Sequence, residues 1–211
     1  MKNLTIHDSH ARVDTRLRRA AIRLVADDDE ATPETAAMGQ ALEAQRAAVW
    51  AGVDASELAA ILVAIWVQRV QRRDKAVGKA TSDLVKALNA HTDEPAVAAV
   101  LPHAVPSAAS AAIRGMADET QRLYVANLVA QVKAAADLPA KVQQRLAALE
   151  AAAAKLEAAV AARKEAEAAE RRARVDLDLA VAAAREVFNA MYFRVGALFP
   201  KDKARVEAYF G

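Results

Sequence analysis

Arg12, Arg16, Arg19 and Arg23 follow one another at steps of four, three and four, with Arg18 close by. On a helix they line one face. Guanidinium groups in such a row can contact successive phosphates of a nucleic acid or an anionic surface. The same row can also be a solvated face, neutralised by Asp14 and by Asp27, Asp28, Asp29 and Glu30. That local balance favours the solvated face. Arg69, Arg72, Arg73 and Lys79 form a second basic stripe, opposite Val67, Val70 and Val77. Nucleic-acid binding gains weight if both stripes share a surface. Against it, no aromatic residues interleave for base stacking and no DNA-binding motif is present.

Asp74 and Thr81 are polar at apolar-seam positions. A buried carboxylate needs a partner, so Asp74 is a candidate for a perturbed acid in a site. A register-fixing polar pair or a water-facing gap is the simpler reading and the favoured one. His7 and His10 stand three residues apart, and such a pair can ligate a metal when further ligands arrive. They lie at an N-terminus expected to fray. No His follows His103, so the later helices cannot carry the Glu-x-x-His of a di-metal bundle. No metal and no cofactor are expected. The acids at 27–30 lack the Gly and the spacing of a calcium loop. The glycines are scattered, so no phosphate-cradling loop exists, and neither a nucleophile elbow nor a cysteine is present. With no acid, base and nucleophile in one constellation, a non-enzymatic protein is the expectation.

The elements that would position these residues are helices. Of 211 residues 57 are alanine, against 6 Gly and 6 Pro. This composition excludes collagen-like and Pro/Gly-rich disordered chains. A net charge of +2 argues against a domain that binds polyanions over its whole surface. Arg outnumbers Lys 19 to 10, which with the alanine content suits a GC-rich bacterial genome. The N-terminus has no signal-peptide pattern, and a cytoplasmic location is the expectation.

Spacing and punctuation predict helices over 9–26, 32–50, 54–89, 95–101, 107–136, 139–198 and 201–210. Thr32 caps the second helix with Pro33 at its first position, and Gly52 stands beyond its end. Asp54-Ala55-Ser56-Glu57 reads as a capping box for the third. That helix has a heptad stripe, Val63, Val67, Val70, Asp74, Val77, Thr81, Leu84 and Leu88. Its segment Leu58 to Val67 is apolar all round, which predicts neighbours on every side. Pro102 and Pro106 predict a break, and Asp137-Leu138-Pro139 a fresh start. The helix over 139–198 has a seam from Val142 through Leu146, Leu149, Leu156, Val181 and Phe188 to Leu198. Its mean step is about 3.5, the period of a left-handed coiled coil.

Six of the nine aromatic residues lie between Phe188 and Phe210. The predicted fold is all-α, an elongated up-down helical bundle with a long C-terminal coiled-coil-like helix. One domain would comprise a head over about 1–100 and 177–211, built on Trp50, Trp66, Phe188, Phe193 and Phe199. A thin hairpin stalk would span about 107–176. Alanine in a seam buries little area, so the stalk invites self-association or a helical partner. The candidate interface residues are Leu146, Leu149, Leu156, Phe193, Phe199, Tyr209 and Phe210. The leading expectation is a structural or interaction protein that forms homo-oligomers or docks another helical protein. The alternatives are a nucleic-acid or anionic-surface binder using the arginine stripes and a membrane-active helical protein using Leu58 to Val67.

Overall fold

The structure is a computed structural model that describes residues 4–5, 8–26, 32–104 and 118–210. Every regular element among them is a helix: α1 (His10–Ala26), α2 (Pro33–Asn89), α3 (Pro95–Ala104), α4 (Asp118–Ala134), α5 (Ala140–Leu198) and α6 (Lys203–Phe210). The fold class is all-α. Residues 27–31 and 105–117, which hold the acidic turn and the start of the helix expected over 107–136, lie outside the described residues, as does His7.

Local chemistry sets the ends. The Arg12 N–H donates to Ser9 Oγ at 3.4 Å at the start of α1. Thr32 and Thr35 cap α2 reciprocally: the Thr35 N–H donates to Thr32 Oγ1 at 3.1 Å, and the Thr32 N–H to Thr35 Oγ1 at 3.0 Å. Asp137 turns the chain between α4 and α5 with φ of 60°, a left-handed conformation that Asp tolerates better than most residues.

Two expected boundaries are absent. The helices expected over 32–50 and 54–89 are one continuous α2. Gly52 is not past a helix end but inside a crossing: a Cβ there would stand 3.3 Å from the Leu177 Cα of α5. The missing side chain lets two backbones approach, which outweighs the propensity cost of glycine. Likewise α3 runs through Pro102 to Ala104. A proline in the last turn forfeits one backbone bond and need not end the helix sooner.

The chain divides into two compact units, Met1–Leu62 with Glu167–Gly211, and Val63–Ala166. The division differs from the expected head and stalk, since residues 63–100 belong with the second unit. In the first unit α1, the start of α2, the end of α5 and α6 enclose Leu17, Leu24, Leu42, Val49, Phe188 and Phe210. Phe188 and Phe210 meet edge to face at 5.3 Å. Leu4, in the stretch expected to fray, is pinned: its N–H donates to Asn189 Oδ1 and Asn189 Nδ2 donates to its carbonyl, both at 3.1 Å. The second unit has a core of its own, including Val77, Leu84, Val97, Leu128, Val142 and Leu149. An ion pair between Lys133 and Glu150 ties α4 to α5 there.

The expectation that Leu58 to Val67 is enclosed on every side does not hold. Val63 and Val67 are half-buried on the seam side, while Leu58, Ile61, Leu62 and Ile65 are exposed. All-round apolarity fixes what a helix could bury, not how many neighbours it has.

Candidate binding surfaces

The second basic stripe lies at a cleft within the second unit. Val70 and Val77 of α2 turn toward the core, and this leaves Trp66, Arg69, Arg72 and Arg73 on the side that lines the cleft. Across it, α5 presents Lys155 beside Ala158 and Ala159. Two alanines fill little space, so a cleft of about 630 Å³ stays open. The Arg69 guanidinium sits 4.5 Å from the centre of the Trp66 ring. Among the described residues no carboxylate lines the cleft, and Lys79 of the same stripe is exposed without lining it. The aromatic residue that the stripe lacks in a reading along the chain is therefore present one turn before Arg69. The i,i+3 spacing of Trp66 and Arg69 is the signal that identifies it.

The first stripe is largely occupied by the chain itself. Arg12 pairs with Asp8 at 2.8 Å. Arg23 Nη1 donates to the Ala208 carbonyl of α6 at 2.5 Å. Arg16 has a partner as well, while Arg18 and Arg19 are exposed. Asp14 accepts from Arg46 Nε and from Trp50 Nε1, each at 2.7 Å. These contacts tie α1 to α2 and α6 within the first unit. Asp8, Asn189 and Arg185, which donates to the Asp8 carbonyl, escape a reading by periodicity because their partners are 177 to 185 residues away. The Thr5 backbone N–H bonded to the Asp8 carboxylate, at 2.6 Å, is the main cause that holds its pKa below the usual carboxylate value, and Arg12 adds to it.

The two polar seam residues both have partners. Thr81 is fully buried, and its hydroxyl donates to the Val77 carbonyl one turn back at 2.9 Å. Asp74 is half-buried and has a partner. Among the described residues no group of three or more His, Asp or Glu could hold a metal ion.

Most of the expected interface residues serve the chain's own cores. Leu146, Leu149 and Leu156 are buried in the second unit, and Tyr209 and Phe210 in the first. Phe199 packs against the first core under the Arg205 guanidinium, 4.0 Å from the ring centre. Only Phe193 stands free of a core, 64% exposed. The seam is thus the inside of the fold, because the chain supplies its own facing helices. Of the aromatic residues expected to build one head, Trp50 lies in the first unit but is exposed, and Trp66 belongs to the second unit.

What remains uncovered is a different face. In the first unit Leu58, Ile61 and Leu62 are 60%, 56% and 44% exposed. Their i, i+3, i+4 spacing stacks them on one face of α2. Val175 and Leu179 of α5 are exposed too. By length and composition α2 contains a stretch able to cross a membrane, and 11% of that stretch is buried.

No family model, no curated protein and no solved structure matches the chain.

Proposed function

We propose that this chain is a non-enzymatic interaction protein that self-associates through the face of α2 carrying Leu58, Ile61 and Leu62. The observation that carries this reading is their exposure: three large aliphatic side chains at helical spacing, each 44–60% exposed. Contiguous apolar faces on soluble proteins mark contact sites more often than chance surface. A matching face on a second copy buries them by two-fold pairing, the commonest oligomer geometry. Because the contact is apolar, it persists at high salt.

The test is the mass in solution by light scattering. Wild type gives a multiple of 22.5 kDa at low and high salt, and Leu58→Lys with Ile61→Lys gives the monomer with unchanged helicity. A wild-type monomer at every concentration refutes the reading.

A membrane-active protein is the second reading, favoured by the mostly uncovered apolar stretch of α2. Asp54 and Glu57 lie next to Leu58 on the same helix. An acid at the bilayer centre costs roughly 2.5–3.5 kcal/mol, which favours a protein partner with water at its rim. Binding to liposomes that the same lysine pair abolishes, from a wild-type monomer, supports the membrane reading instead.

A further inference from the structure

We propose that the cleft of the second unit between α2 and α5 binds single-stranded nucleic acid, its phosphates against Arg69, Arg72, Arg73 and Lys155 and a base against Trp66. Among the described residues the lining concentrates four cations and no acid, on a chain whose net charge is only +2. Among the described residues none of the four forms an ion pair with a carboxylate. Some arginines outside the cleft are neutralised within the chain: Arg12 pairs with Asp8, Arg46 with Asp14 and Arg174 with Glu170. A cluster of like charge held together without counter-charge is a site for an external anion.

The geometry selects among anions. Arg69 and Arg73 are one turn apart, about 6 Å along α2, so they can meet separate phosphates of a strand. The cleft of about 630 Å³ falls in the size range of sites that enclose small ligands. It is concave, so a flat bilayer surface cannot follow its walls. Trp66 supplies an indole on which a base stacks without regard to sequence, and Arg69 beside it supplies a cation for the adjoining phosphate. The inference does not depend on self-association, which uses other residues.

The probe is a fluorescent oligothymidylate of about 15 nucleotides, within the span that single-strand sites cover, followed by anisotropy across a salt series. The expected result is binding at low salt that weakens steeply as salt rises. Arg72→Ala with Arg73→Ala weakens it about tenfold or more and makes the log–log salt slope shallower by about two. Lys155→Ala, on the other helix, removes a smaller share of both. Trp66→Leu weakens binding with the slope unchanged, as loss of stacking without loss of charge requires. Arg18→Ala with Arg19→Ala, cations of the first unit outside the cleft, leaves binding as in wild type. The proposal fails if the Arg72/Arg73 variant binds like wild type or if no oligonucleotide binds at low salt. It also fails if vesicles of phosphatidylcholine with one-third phosphatidylserine bind and the oligonucleotide does not.

Discussion

The two units are built from the same two long helices but hold themselves together differently. The first unit closes on aromatic rings and on polar pins: Phe188 against Phe210, Asn189 on Leu4, Asp14 on Trp50 and Arg46. Among the described residues the buried core of the second is aliphatic, valine and leucine with one alanine, and Tyr124 packs against it half-buried. The first therefore depends on a few large contacts that bring distant parts of the chain together. The second depends on many interchangeable ones. Four of its cations line the cleft, whereas several arginines of the first are engaged in fastening its own helices.

The largest expected effect that can break this contrast is Phe188→Ala. Phe188 is fully buried, and the loss is about 3–5 kcal/mol by denaturant unfolding. Hydrogen exchange should report lost protection in α1 and α6, with α3 and α4 protected as before. Leu149→Ala, equally buried in the second unit, should cost about 2–4 kcal/mol and reverse that exchange pattern. Uniform loss across all helices in both variants would show that the two units unfold as one.

Two glycines of α2 sharpen the comparison at intermediate size. Gly78 in the second unit has open space where a Cβ would go. Gly78→Ala should therefore stabilise by roughly 0.5–1 kcal/mol through helix propensity alone. Gly52 in the first unit meets Leu177 at 3.2–3.3 Å, backbone included. Gly52→Ala must push two helices apart and should destabilise by about 1 kcal/mol despite the same propensity gain. Thermal unfolding of the two variants should shift in opposite directions.

Asn189→Ala should cost about 1 kcal/mol and free the N-terminus, detected as faster proteolysis ahead of α1. The smallest effect is in the acid limb. The Asp8 carboxyl has its pKa lowered from 3.8, so the unfolded chain takes up the proton first. Its contribution is complete above the unfolded value and is lost as pH falls through the lower native one. Asp8→Asn should flatten that part of the stability curve below about pH 4 and leave its shape near neutrality unchanged.

Periodicity carried much of this fold. The seam of α5 is legible because every step keeps one side apolar, and of its named members from Val142 to Leu198 only Leu198 is exposed. Thr32-Pro33 is legible because cap and proline act within one turn. What periodicity cannot supply is the count of neighbours. Gly52 has the spelling of a helix end, and only Leu177, far along the chain, reveals it as a crossing. Leu58 to Val67 has the spelling of a buried segment, yet one side is bare. The cleft was half legible: its cations from α2 stand in a recognisable stripe, but Lys155 and the two alanines that open the space belong to another helix.

The discontinuity of the first unit has a consequence for biosynthesis. Its opening stretch, through Leu62, emerges from the ribosome before all of Val63–Ala166. Leu4 meets Asn189 only after 185 further positions have been translated. At roughly 5–20 residues per second, that leaves α1 and the start of α2 waiting for seconds with Leu17, Leu24 and Leu42 uncovered. The second unit, contiguous in sequence, can close during that interval. A nascent chain of this protein would therefore spend its vulnerable period with a finished module downstream and an unfinished one upstream, the reverse of the usual order of maturation.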